Sequence, residues 1–166
     1  KLFNQGEISL HGFFNYSDST ISTYSPVIFL VGESYLTING KGDFRNNSVD
    51  VLLDLEKANI ELINNFLPGN FVSGEATGRL NVSGNFKKPS VIAELSCENI
   101  IIDEFNLESL DLNSQIFIQD STINGFTDIK SGKGKWKGRQ FDSGTVYGVL
   151  KNNSIIFGYS SMGKNL

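Results

Sequence analysis

Three phrases in this chain share one pattern of apolar, polar, apolar, polar, glycine. They are Ile8-Ser9-Leu10-His11-Gly12, Leu36-Thr37-Ile38-Asn39-Gly40 and Leu80-Asn81-Val82-Ser83-Gly84. A β-strand sends successive side chains to opposite faces, so each phrase carries one apolar and one polar face. The closing glycine marks a kink, a bulge or a close backbone approach. A second alternation follows each phrase: from Ile21 after the first, Val49-Val51-Leu53-Leu55 after the second, Val91-Ala93-Leu95 after the third. Further on, Leu110, Leu112, Ile116 and Ile118 share one face, and Asp111, Asn113, Gln115 and Gln119 the other. The repetition predicts one long antiparallel sheet whose apolar side is continuous.

The same periodicity divides the chain into elements. Residues 6–16 and 19–31 form a first hairpin around Ser17-Asp18-Ser19. Residues 34–44 and 48–56 form a second, turned at Arg45-Asn46-Asn47, where asparagine tolerates positive φ. The period then changes: Ile60, Ile63 and Leu67 stand at helical spacing and Pro68-Gly69 ends the run. This predicts a short helix over 58–67 that caps an open end of the sheet. A long strand resumes over 70–86, with a turn at Lys87-Lys88-Pro89. Strands follow over 90–98, 100–105, 107–119, 121–130, 133–141, 144–151 and 154–160, with a further turn at Lys151-Asn152-Asn153. Nothing reads as a βαβ unit. The expected fold is all-β: a long curled antiparallel sheet, an open trough with one short helix, in a single domain over residues 1–166.

Composition agrees with a folded domain. Hydrophobic residues make up 39%, charged residues 19%, and there are only 3 prolines, which excludes a linker or disordered tract. No basic-then-apolar leader and no apolar run approaching ~18 residues is present. The start at Lys1 reads as that of a piece cut from a longer polypeptide. Net charge is −4, unevenly spread: Lys130, Lys133, Lys135, Lys137, Arg139, Lys151 and Lys164 face a single acid, Asp142, after residue 129. Such a division gives the two parts of the chain different partners.

Chemistry-bearing residues are sparse. His11 and Cys97 are the only histidine and cysteine, so no triad, histidine zinc site, cysteine–histidine pair or internal disulfide is available. His11 falls on the polar side of its phrase and reads as solvated. Cys97 continues the Val91-Ala93-Leu95 face and reads as buried. Asp50 and Asp54 alternate with Val49, Val51, Leu53 and Leu55, as a wet face requires, and Asp103-Glu104 suits a turn. The Asn-x-Ser triplets at Asn15, Asn46, Asn81 and Asn152 are what chance gives in so asparagine-rich a chain. No catalytic residue, metal or cofactor is nominated.

The run Ser131-Gly132-Lys133-Gly134-Lys135-Trp136-Lys137-Gly138-Arg139 lacks the spacing of a phosphate-binding loop. As one strand it would put Lys133, Lys135, Lys137 and Arg139 on one face, with Gly134, Trp136 and Gly138 opposite. Such a ribbon either protects a sheet edge or meets phosphate head groups. The acidic remainder, poor in basic–aromatic interleaving, speaks against nucleic acid.

The third phrase, extended from Gly74 through Gly78, Leu80, Val82 and Gly84 to Pro89, Val91 and Leu95, resembles the repeat of the TamB family of translocation and assembly module proteins. The wider AsmA-like envelope proteins share it. Phe66-Leu67-Pro68-Gly69 resembles the lead-in to that repeat, and the phrases at Gly12 and Gly40 keep its rhythm. The resemblance covers most of residues 6–98; beyond Ile100 it rests on alternation alone. It implies a periplasm-spanning envelope protein of a diderm bacterium, anchored in the inner membrane. It also implies an apolar β-groove that shields phospholipid acyl chains or nascent outer-membrane strands, with an Omp85-type barrel-assembly component as a possible partner.

The residues support a lipid reading on their own terms. One short helix cannot cover such a face, so the sheet closes as a sandwich or barrel, or stays open as a trough. The groove lining would be Ile8, Leu10, Leu36, Ile38, Leu80, Val82, Val91, Leu95, Leu110, Leu112, Ile116 and Ile118. Covering an acyl chain there is worth ~0.8 kcal/mol per CH₂. The alternative is a non-catalytic scaffold working through its edges, or an adhesin-like module whose apolar face is ordinary closed core.

Overall fold

The computed structural model describes residues 8–61, 72–119 and 122–161. Fourteen strands fill them: β1 (Ile8–His11), β2 (Phe14–Ser17), β3 (Thr20–Thr23), β4 (Val27–Val31), β5 (Ser34–Asp43), β6 (Ser48–Asn59) and β7 (Val72–Asn85). The second half supplies β8 (Lys88–Ile102), β9 (Phe105–Gln119), β10 (Thr122–Ser131), β11 (Gly134–Trp136), β12 (Arg139–Phe141), β13 (Gly144–Lys151) and β14 (Ser154–Ser161). They form one open antiparallel sheet that is not closed into a barrel. The main path runs β1-β4-β5-β6-β7-β8-β9-β10-β13-β14. Long strands β6 to β9 make its centre, and the sheet forks at both flanks. At one, β5 carries β4 and also the β3–β2 ribbon; at the other, β9 carries β10 and also the β11–β12 ribbon.

Turn chemistry places the reversals. Asp18 and Ser19 (φ 49 and 68) close the first hairpin, Asn47 (φ 52) helps close the second, and Asn152 and Asn153 (φ 51 and 64) close the last. The Asp43 carboxylate accepts from the backbone N–H groups of Arg45 and Asn46 at 3.0 and 2.9 Å, fixing the β5–β6 turn. At Gly40, inside β5, an added Cβ would collide with the Asp50 carbonyl oxygen of β6. That phrase-ending glycine therefore allows close approach of two backbones.

Several elements differ from the sequence reading. Ala58 and Asn59, assigned above to a helix, end β6 instead, opposite Ala76 and Glu75 of β7. The Ser34 hydroxyl holds them there, accepting from the Asn59 N–H at 3.0 Å. Ile60 and Glu61 make a brief 3₁₀ turn, and the rest of the predicted helix lies outside the described residues. The turn expected at Lys87-Lys88-Pro89 sits at Phe86-Lys87, so Lys88 and Pro89 already belong to β8. Strand β8 then runs unbroken where two strands were expected, carrying Asn99 at φ 51 within it.

A crease crosses the long strands. The β6–β7 ladder shifts register between Leu55 and Ala58, and the β7–β8 ladder between Ser73 and Glu75. Cys97 and Ile100 on β8 are both buried, a step of three where strict alternation would require two or four. Irregularities of this kind bend a strand and raise its local twist. The buried cluster gathers along the crease: Ala76, Cys97, Ile100 and Leu107, with Leu55, Ala58, Leu95, Phe105, Leu110 and Phe141 packed around it.

Candidate functional site

The register assigns every strand residue to a face. Three rows of cross-strand neighbours traverse the sheet on one side. The first is Leu10, Phe29, Leu36, Leu55, Gly78, Leu95, Leu112, Ile129 and Val146. The second runs Val27, Ile38, Leu53, Leu80, Ala93, Ser114, Thr127, Gly148 and Phe157. The third runs Gly40, Val51, Val82, Val91, Ile116, Gly125, Leu150 and Ile155. No charged residue occurs in any of them. Ile8 opposite Val31, Leu110 opposite Cys97 and Ile118 opposite Ile123 extend the same face. The sheet thus brings together, on one surface, all twelve residues named for the groove. It adds Phe29, Leu53, Leu55, Ile129 and Val146, whose alternation was visible in the sequence but whose neighbours were not.

This face is not packed as a core. Ile8 and Leu10, on the outermost strand, are 44% and 60% exposed. The other ten are partly exposed, and none is fully buried. Among described apolar side chains only Val27, Val72, Ala76, Cys97, Ile100 and Leu107 are buried. A hollow of about 110 Å³ on the apolar face is bordered by Phe14, Ile21, Ile38 and Val51. Larger hollows of about 390 and 630 Å³ lie among side chains of the polar face. The apolar side is therefore an extended surface rather than an enclosed cavity.

The opposite face is wet over its centre. Asp50, Asp54, Arg79, Glu94, Asp111 and Asn113 lie there by register. Arg79 donates from Nε to Asp54 at 2.6 Å, and that hydrogen bond makes the guanidinium still harder to deprotonate. Toward β14 the polarity fades: Phe126, Val149 and Ile156 are cross-strand neighbours on this face, 50%, 50% and 64% exposed. His11 is exposed on the polar side, opposite Ile28. Cys97 is buried on the apolar side, and burial pushes its thiol pKa up, with the Asp111 carboxylate adding to the effect.

The cationic run is rearranged. Residues 133–141 are not one strand: β11 and β12 meet at a tight turn, with Lys137 at φ 47 and Gly138 at φ 82. Folding back at that turn reverses the parity of everything after it. Arg139 pairs with Trp136 and shares its face, whereas Lys135 pairs with Gln140 on the other. The expected ribbon of four aligned cations does not form. Lys133 and Lys135 lie on one side of the hairpin, Arg139 on the other beside Trp136, and Lys137 at the tip.

Among the described residues, no group of three or more His, Cys, Asp or Glu side chains is placed to hold a metal ion, and no helix is long and apolar enough to cross a membrane. No protein family, no curated protein and no solved structure matches this chain.

Proposed function

We propose that this chain is a segment of a TamB/AsmA-like envelope protein whose apolar sheet face shields lipid acyl chains in transit between membranes. One observation carries the reading: three uncharged rows cross the sheet, yet most of their side chains stay partly exposed. Exposed apolar surface of that extent on a folded domain marks a binding surface. An acyl chain suits it because the rows are predominantly apolar: Ser114 and Thr127 are their polar side chains, and the Ser114 hydroxyl already donates to the Phe126 carbonyl. The task needs no catalytic residue.

The test is native mass spectrometry of the gently purified protein, with solvent extraction of what accompanies it. Bound phospholipid or fatty acid is the expected outcome. A clean mass that persists after incubation with labelled phospholipid overturns the reading.

A second reading, a scaffold that captures nascent outer-membrane strands, is favoured by β14. This outermost strand contains no charged residue or proline, and Ile155, Ile156 and Phe157 are 53%, 64% and 64% exposed. Such an edge is open to strand addition. Capture of an extended outer-membrane strand without bound lipid would select it.

A further inference from the structure

The β11–β12 hairpin ends in the chain's only tryptophan, Trp136, which is 57% exposed. It pairs with Phe105 of β9 and with Arg139 of β12, and the packing of Phe105 against the buried cluster sets the indole on the cluster's side of the sheet. Phe105 stacks on Phe141 with ring centroids 5.5 Å apart, and both border the buried cluster on the crease. An aromatic path therefore leads from the buried part of the apolar face out to a solvent-exposed indole. Cations surround its end. The Lys137 ammonium lies 5.8 Å from the Trp136 ring centroid, and Arg139 is its cross-strand neighbour. Neither cation takes an ion pair among the described residues. Glu108 and Asp142 border a separate hollow together with Lys133 and Lys135. Glu104 lies beside the tip, its carbonyl accepting from the Lys137 N–H, and Asp103 precedes it on the same turn.

An exposed indole flanked by long cationic side chains, at the margin of an apolar face, has the chemistry of a membrane-interface anchor. The ring fits the head-group boundary, while lysine and arginine extend to lipid phosphates. We propose that the tip of this hairpin, Trp136 with Lys137 and Arg139, docks on the surface of an anionic phospholipid bilayer. This end of the apolar face is then the one presented to a membrane. The inference rests on the lipid reading only for what moves along the face; docking has its own signal.

That signal is Trp136 fluorescence, recorded from the whole chain as vesicles of phosphatidylglycerol and phosphatidylcholine in equal parts are added. The expected result is a blue shift with protection from aqueous quencher, reversed by salt. Lys137→Asn keeps a residue that tolerates the turn's positive φ. Paired with Arg139→Gln it should weaken partitioning about 25-fold, at roughly fivefold per cation. Glu104→Gln should strengthen it, since it removes a flanking negative charge. Emission that stays aqueous beside vesicles overturns the proposal, as does an equal shift with pure phosphatidylcholine that the double variant leaves unchanged. Quenching by a single-stranded oligonucleotide that competes with the vesicles would assign the tip to nucleic acid instead. Because none of these outcomes depends on lipid co-purification, docking and acyl shielding can fail separately.

Discussion

Leu80→Asp tests the apolar face where it is most central. Leu80 lies on β7 between Leu53 of β6 and Ala93 of β8, in the second of the three rows. It is partly exposed in the absence of ligand, so the sheet tolerates a polar atom there better than a sealed core would. Losing a half-covered leucine should lower folding stability by about 1 kcal/mol, half the value of a fully buried one. Bound lipid should suffer more. A carboxylate under an acyl chain removes two or three methylenes from apolar contact, at ~0.8 kcal/mol each, or about 2 kcal/mol in all. That is roughly a thirtyfold loss of affinity. The control is one residue away: Asn81 pairs with Leu52 and Ile92 on the opposite face, so Asn81→Asp adds the same charge where no chain is expected to lie. Titration with a labelled phospholipid, with far-UV circular dichroism to confirm the sheet, compares the two. Equal binding by wild type and Leu80→Asp, or equal loss in both variants, refutes the assignment of lipid to this face.

Three further outcomes concern the fold. Val27, at 1% exposure, is the largest fully buried side chain among the described residues, so Val27→Ala should cost about 2 kcal/mol and lower the urea midpoint without changing the slope. The hydrogen bonds from Asn46 hold the Asp43 carboxyl below its usual 3.8. Its folded form thus resists protonation: the stabilisation is present above that pH and is lost as pH falls through the lower folded value. Asp43→Asn should flatten the fall in stability in that acid range, as read by urea titrations at stepped pH; an unchanged slope would exclude the turn as its source. Cys97, buried with a raised thiol pKa, should react with a disulfide reagent far more slowly when folded than in denaturant. Equal rates would place the thiol at the surface.

Much of this architecture was legible in the residues. Strand pleat has a period of two, so once Leu80 and Val82 share a face, Asn81 and Ser83 must share the other, whichever strands lie beside them. That is why the twelve proposed groove residues fall on one surface, and why His11 and Cys97 lie where alternation put them. Turns at Asp18-Ser19 and Asn152-Asn153 were equally local, because these side chains accept the positive φ that a tight reversal requires.

What remained hidden depended on partners distant in sequence. The helical spacing of Ile60, Ile63 and Leu67 carried no sign that Ala58 and Asn59 would pair with Ala76 and Glu75. The step of three from Cys97 to Ile100 accompanies the crease, which β6, β7 and β8 make together. The cations divided because a turn at Lys137-Gly138 reverses the parity of Arg139, and no periodicity inside a single strand can register a reversal. The open sheet expected above is the one observed, although periodicity alone could not have chosen it over a closed core. Alternation reads identically whether an apolar face meets another sheet, a lipid or water, because period two records only which side chains share a face; what lies against that face is settled by the path of the remaining strands, and here that path leaves the sheet open.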